Sequence, residues 1–148
     1  MVDLKMEMDV SCVDSLSEEQ KIAFVKAFSH LAMADGCFDE DEKAFIRHVA
    51  AGFGISLTHL EEIFEVNDGE KIIEEVKKIS NRRAALELIK EMCILAHADD
   101  DLSDEETAFI GRVGLAMGIE LDKIEQISNW VIDRLVWLEE AKIIFEEV

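Results

Sequence analysis

Residues 31–46 read LAMADGCFDEDEKAFI, and residues 95–110 read LAHADDDLSDEETAFI. In each stretch an apolar run reaches Ala-Asp, crosses a short acidic turn and restarts as a second apolar run through Ala-Phe-Ile. Aligning residue 31 with residue 95 sets an offset of 64, which holds without a gap to Ile63 and Ile127 with about fourteen of roughly thirty-three positions identical. Asp35 matches Asp99, Glu42 matches Glu106, Phe45 matches Phe109, and Gly54-Ile55 matches Gly118-Ile119. Self-similarity at a fixed period marks a repeated structural unit, and two copies are too few for a solenoid. The expectation is an all-α single domain over residues 1–148. It has about seven helices and two duplicated helix–acidic turn–helix units at about 18–66 and 82–130.

Composition supports that class. The chain of 148 residues is long enough to bury most of its apolar surface without staples. Its 49% hydrophobic content, against 33% charged, is too apolar for disorder. Pro is absent, and only the seven Gly residues interrupt helix. The net charge of −19 repels phosphate backbones and anionic headgroups, so nucleic acid is excluded as a partner and cations or basic protein patches are favoured. Cys12, Cys37 and Cys93 are odd in number and have no CxxC spacing, which fits a reducing compartment, with Cys93 in the core and Cys37 more exposed. The start MVDLKMEMDV carries acids where a secretion signal needs a basic end and an apolar run. No stretch reaches the ~18 apolar residues of a membrane span. Cytoplasm is the expected location, without direct membrane insertion.

Residues 1–16 read equally as a short helix or an extended arm. Ser17 to Gln20 forms a capping-box pattern ahead of Phe24, Ala27, Phe28 and Leu31, one face of a helix. Asp39 to Glu42 opens the next helix, with Ile46, Val49, Ala50 and Phe53 inward and Gly54 at its close. A third runs through Leu57, Leu60, Ile63 and Phe64. After a turn at Asn67-Asp68-Gly69, a fourth uses Ile72, Ile73, Val76 and Ile79. Asn81 caps a fifth through Leu86, Ile89, Met92, Cys93 and Ala96, and Ser103 caps a sixth through Ile110, Val113 and Met117. From Leu121 onward no Gly or Pro intervenes. Ile124, Ile127, Val131, Leu135, Leu138 and Phe145 make one stripe, while Trp130, Trp137 and Ile144 make a second face at sevenfold spacing. A helix so apolar belongs either at the centre of the fold or with its second face on a partner.

The acidic turns invite comparison with a calcium loop, and the comparison fails. Counting from Asp35, the sixth position is Glu40 where Gly is needed and the twelfth is Ile46 where a bidentate Glu belongs; from Asp99 these are Asp104 and Ile110. Glu42 and Glu106 each sit three residues after a good N-cap, Asp39 or Ser103, so capping alone accounts for them. Asp35 and Asp99 fall instead near a helix C-terminus, where the macrodipole disfavours a negative charge. If the two turns converge, carboxylates about 5 Å apart repel by a few kcal/mol at an effective dielectric near 20. Such a site would attract a hard divalent cation or a basic side chain. The candidate metal ligands are Asp35, Asp39, Glu42, Asp99, Asp101 and Glu106, for calcium, magnesium, manganese or zinc; caps and solvated acids are the plain alternative. His97, two before Asp99, is the best-placed nitrogen for a softer metal, though a lone helical His more often simply packs. His30, His48 and His59 have no ligand spacing.

Ala34-Asp35-Gly36 with Phe38 and Glu42, its variant from Ala98 to Glu106, the trailing Gly-Ile pairs and the Pro-free helices resemble the TerB-like, tellurite resistance-associated domain family over nearly the whole chain. The resemblance implies a bacterial, cytoplasmic, all-helical stress-response protein. It further implies divalent-metal binding at the acidic turns, carried here by Asp35, Glu42, Asp99 and Glu106. The second copy departs by placing Asp100 where the first has Gly36. Tellurite is an oxyanion, and a chain at −19 is a poor trap for it. No cofactor loop or paired thiol points to catalysis. The expected function is therefore non-enzymatic: a divalent-cation-responsive adaptor, or else a metal-independent interaction module whose acidic face docks a basic partner. The expected partner is protein, either a basic surface or a membrane-protein complex, with the chain itself monomer or homodimer.

Overall fold

The computed structural model describes residues 16–33, 40–52, 54–56, 68–98 and 104–146. Six helices lie there: α1 (Glu18–Met33), α2 (Glu40–Gly52), α3 (Gly69–Val76), α4 (Arg82–Ala98), α5 (Asp104–Ala116) and α6 (Leu121–Ile144). Among the described residues there is no strand. The fold is all-α. The helix expected through Leu57 and Phe64, and the stretch at 1–15, lie outside the described residues.

The duplication is written into the helix boundaries. Glu18 and Arg82 open α1 and α4, Glu40 and Asp104 open α2 and α5, and Gly52 and Ala116 end them, each pair at the same offset of 64. The closing turns match bond for bond. Ile55 N–H donates to the Ala50 carbonyl at 3.0 Å and Gly54 N–H to that of Ala51 at 3.1 Å, while Ile119 N–H donates to Gly114 at 2.9 Å and Gly118 N–H to Leu115 at 3.0 Å. This paired pattern is the Schellman closure, and it needs a left-handed residue after the helix. Gly54 and Gly118 supply it at φ +75° and +82°.

Local chemistry sets the helix starts. Ser17 N–H donates to Gln20 Oε1 at 2.8 Å and Gln20 N–H to Ser17 Oγ at 3.2 Å, the reciprocal box the sequence implied. Gln20 Nε2 also reaches the Lys78 carbonyl at 2.6 Å, tying the start of α1 to the end of α3. Asn81 Oδ1 accepts from Ala84 N–H at 3.1 Å at the start of α4. Asp68, expected only as a turn residue, caps α3 by accepting from Glu70 and Lys71 N–H.

At the centre are α1 and α4, the equivalent helices of the two copies, packed on each other. α1 also contacts α2, α3 and α5, and α4 contacts α5 and α6. Phe24, Phe28, Leu31, Leu88, Ile89 and Met92 are fully buried across this seam, each stabilising by roughly 1.5–3 kcal/mol relative to exposure. The last helix is not at the centre, contrary to one of the two expectations. In α6 only Ile124 and Val131 are buried, since it rests on α4 and α5 along a single face. No helix among the described residues is long and apolar enough to cross a membrane.

α5 and α6 approach closely at Gly114, where a Cβ would overlap Ile124 Cδ1 and stand 3.3 Å from Ile89 Cδ1. Gly114→Ala is expected to destabilise by about 1–3 kcal/mol through overpacking despite its better helix propensity. Urea denaturation reads this as a lower midpoint at unchanged slope.

Candidate functional site

The six acids sit at the turns that link α1 to α2 and α4 to α5. Asp35, Asp39, Asp99 and Asp101 lie outside the described residues. Glu42 occupies the first turn of α2 and Glu106 the equivalent position in α5. Glu106 is half-buried, and its charge bears on His97 in the last turn of α4. The two helices that flank the second acidic turn are thus coupled across it. Among the described residues no group of three His, Cys, Asp or Glu converges to hold an ion. Of the candidate ligands, Glu106 has a described side chain.

His97 is engaged otherwise than as a free ligand. Its Nε2 lies 3.2 Å from Ser128 Oγ on α6. Cys93, one turn earlier on α4, shares that hydroxyl, yet burial pushes its thiol up to about 11, the Ser128 bond offsetting only part of the rise. The thiol is therefore protonated at neutral pH and is no nucleophile or thiolate ligand. Cys93 is the core residue its helical register implied. His97 is held below its ordinary pKa by burial, with Glu106 pulling the other way.

The ends of the two copies also meet away from the turns. The ring of His30, in the last turn of α1, lies 4.5 Å from that of Phe109 in α5, and both close over Gly69 at the start of α3. Arg112 of α5 pairs with Glu70 beside them. The carboxyl end of α1 and the amino half of α5 are therefore neighbours, although they belong to different copies.

A second polar site went unread in the sequence. Glu87 and Glu91, one turn apart on α4, are buried, with Lys90 between them in contact with both and Arg83 Nη2 3.1 Å from Glu87 Oε1. Burial raises the Glu91 pKa; Lys90 lowers it in part, and the Glu87 charge adds to the rise. Beside this cluster runs a groove between α4 and α6 of about 320 Å³, floored by Leu86, Ile127 and Trp130 and edged by Arg83, Lys90 and Lys123. The groove begins where Arg82 and Glu120 form a two-bond ion pair at 3.0 and 2.8 Å, joining the starts of the two helices. The available signal was two acids inside a helix whose neighbours Ala84, Leu88 and Met92 are all apolar.

The two shifted groups respond to pH in opposite senses. The native chain protonates His97 less readily than the unfolded chain does. Stability therefore falls as pH drops from the ordinary His value of about 6.5 toward the lower native one, and is level above it. His97→Gln is expected to remove that decline, measured by denaturant midpoints between about pH 5 and 8. Glu91 binds its proton more readily in the native chain, so stability falls as pH rises from about 4.5 through its raised native value. Glu91→Gln is expected to raise the melting temperature at neutral pH, an advantage that shrinks on acidification.

Comparison with known proteins agrees with the duplication. Residues 11–64 and 60–129 match the family described as Tellurite resistance protein TerB, one match for each half of the chain. No curated protein and no solved structure matches the chain.

Proposed function

Because the chain belongs to the Tellurite resistance protein TerB family, we propose that it is a non-enzymatic adaptor whose two acidic turns respond together to a divalent cation. The observation that carries this reading is a repeated sixteen-residue run without Lys or Arg across those turns, although Lys43 and Arg47 beyond the first run lie against Glu40. Residues 27–42 and 91–106, equivalent in the two copies, contain no Lys or Arg, although the acids crowd into both. The contact of His30 with Phe109 supports convergence, because the helix leaving for the first turn lies against the helix returning from the second. A bound ion would supply positive charge. Asp35, Asp39, Glu42, Asp99, Asp101 and Glu106 would hold it and draw the ends of the four helices together. The second reading is a metal-independent module in which the same acids dock a basic protein surface. The charge of −19 favours it equally, and the same measurement separates the two.

Thermal melts with calcium, magnesium, manganese and zinc are the test. An ion at a hundredfold excess over its Kd should stabilise the chain by about 2.7 kcal/mol, or on the order of 5–10 °C for a domain of this size. The shift should vanish in Asp35→Asn with Asp99→Asn. If no ion moves the wild-type melt, the cation-responsive reading fails. Salt-sensitive binding of a basic partner would then remain for these acids.

A further inference from the structure

One flank of α6, beginning at the groove beside α4, carries Trp130, Trp137 and Ile144, which are 54%, 48% and 68% exposed. Sevenfold spacing drifts only about 20° per repeat on a straight helix, so the three lie in one seam. Bare apolar residues in such a row mark a contact surface. The helix also outruns its support, with 24 residues against the 17 of α4, and Ile143, Ile144 and Phe145 at its end are the most exposed large apolar groups described.

Charge along the seam is polarised. At its amino-terminal end lies the groove with Trp130 in its floor, where Glu87 pairs with Arg83 and Lys90 and Lys123 adds a further positive charge. At its carboxyl end, Glu140 and Glu146 flank Ile144 and Phe145 in sequence, and Glu139 pairs with Lys142. We propose that α6 pairs antiparallel with α6 of a second copy of the chain, with Trp137 on the twofold axis. Trp130 and Ile144 each stand seven residues from Trp137, and Arg134 and Glu140 each stand three. The twofold therefore sets Trp130 against Ile144 and Arg134 against Glu140, each twice, as an isologous interface requires. Arg134 already lies over the Trp137 ring at 4.9 Å, which holds its guanidinium beside the seam. A parallel pair would instead bring acidic end to acidic end. The apolar tail of each copy, with Glu140 and Glu146, reaches the Lys123 side of the apolar groove of the other.

Two chains of −19 repel at long range, and salt screens that repulsion while leaving an apolar seam intact. The pairing should therefore tighten as salt rises, the reverse of a dimer held by ion pairs alone. The pairing makes no use of the acidic turns, so it stands or falls apart from the cation-responsive reading.

Analytical ultracentrifugation of the full chain at tens of micromolar tests it. The expected mass is twice 16.7 kDa, with tighter association at about 0.5 M salt than at about 0.05 M, well past the point where the screening length falls below ~8 Å. Trp137→Glu should weaken association by about thirtyfold or more, the effect of losing a central aromatic anchor, with its helical circular dichroism unchanged. At low salt Arg134→Glu and Glu140→Arg should each weaken the dimer, and together restore it. A monomeric wild type overturns the pairing and leaves the seam to a different protein. A Trp137→Glu dimer as tight as wild type overturns it by placing the interface elsewhere. A double variant that fails to recover overturns the antiparallel register.

Discussion

The contact between α1 and α4 constrains everything else in this chain. Each copy of the repeat is a pair of amphipathic helices joined by an acidic turn, and such a pair alone leaves one apolar face in water. Burying the two first helices against each other removes both faces at once, with Phe24, Phe28, Leu88, Ile89 and Met92 out of solvent. Since α2 hangs from α1 and α5 from α4, fixing the seam also fixes the directions in which the second helices leave. α3 and α6 then fill the flanks, α3 against α1 and α5, and α6 against α4 and α5.

Charge is distributed unevenly around that seam. Lys77, Lys78, Arg82 and Arg83 gather where α3 gives way to α4, and each has an acidic partner: Glu74, Glu19, Glu120 and Glu87. The acids of the two repeat turns lie in sixteen-residue runs without Lys or Arg, the first ending at Lys43, which pairs with Glu40. Most of the exposed pairs contribute little to stability. Their effect is to neutralise one end of the molecule and leave the excess negative potential elsewhere, which is what a cation or a basic surface would encounter first.

The fold was legible because its punctuation is local. Ser17, Asn81, Gly54 and Gly118 act on backbone groups within a few residues, so their types alone place helix ends. The stripes Phe24–Phe28–Leu31 and Ile89–Met92–Ala96 point inward, as a 3.6-residue period requires. Periodicity says nothing, however, about which apolar helix is most deeply placed. α6 is the longest and has the wider apolar surface, yet α4 is the buried one, even carrying Glu87 and Glu91 inside. A composition with only two tryptophans and long aliphatic faces cannot distinguish a helix enclosed by its own chain from one with a bare flank. The acidic turns were legible as a pattern, and the charge of Glu106 acting on His97 gives that pattern one electrostatic link. Asp68 was missed as a cap because Asn67-Asp68-Gly69 has the residue types of a turn, and a turn and an N-cap use the same side-chain oxygen.

Gly114 shows that the two halves have stopped being interchangeable. Its counterpart in the first copy is Ala50, whose methyl is wholly enclosed, whereas at Gly114 the space of that methyl is taken by Ile124. The two copies have different solutions at this position, each fitted to its own neighbours. Exchanging the second helices between the copies would keep both Schellman closures and still set a methyl where Ile124 now sits, so the symmetry of the sequence is no longer a rule of packing.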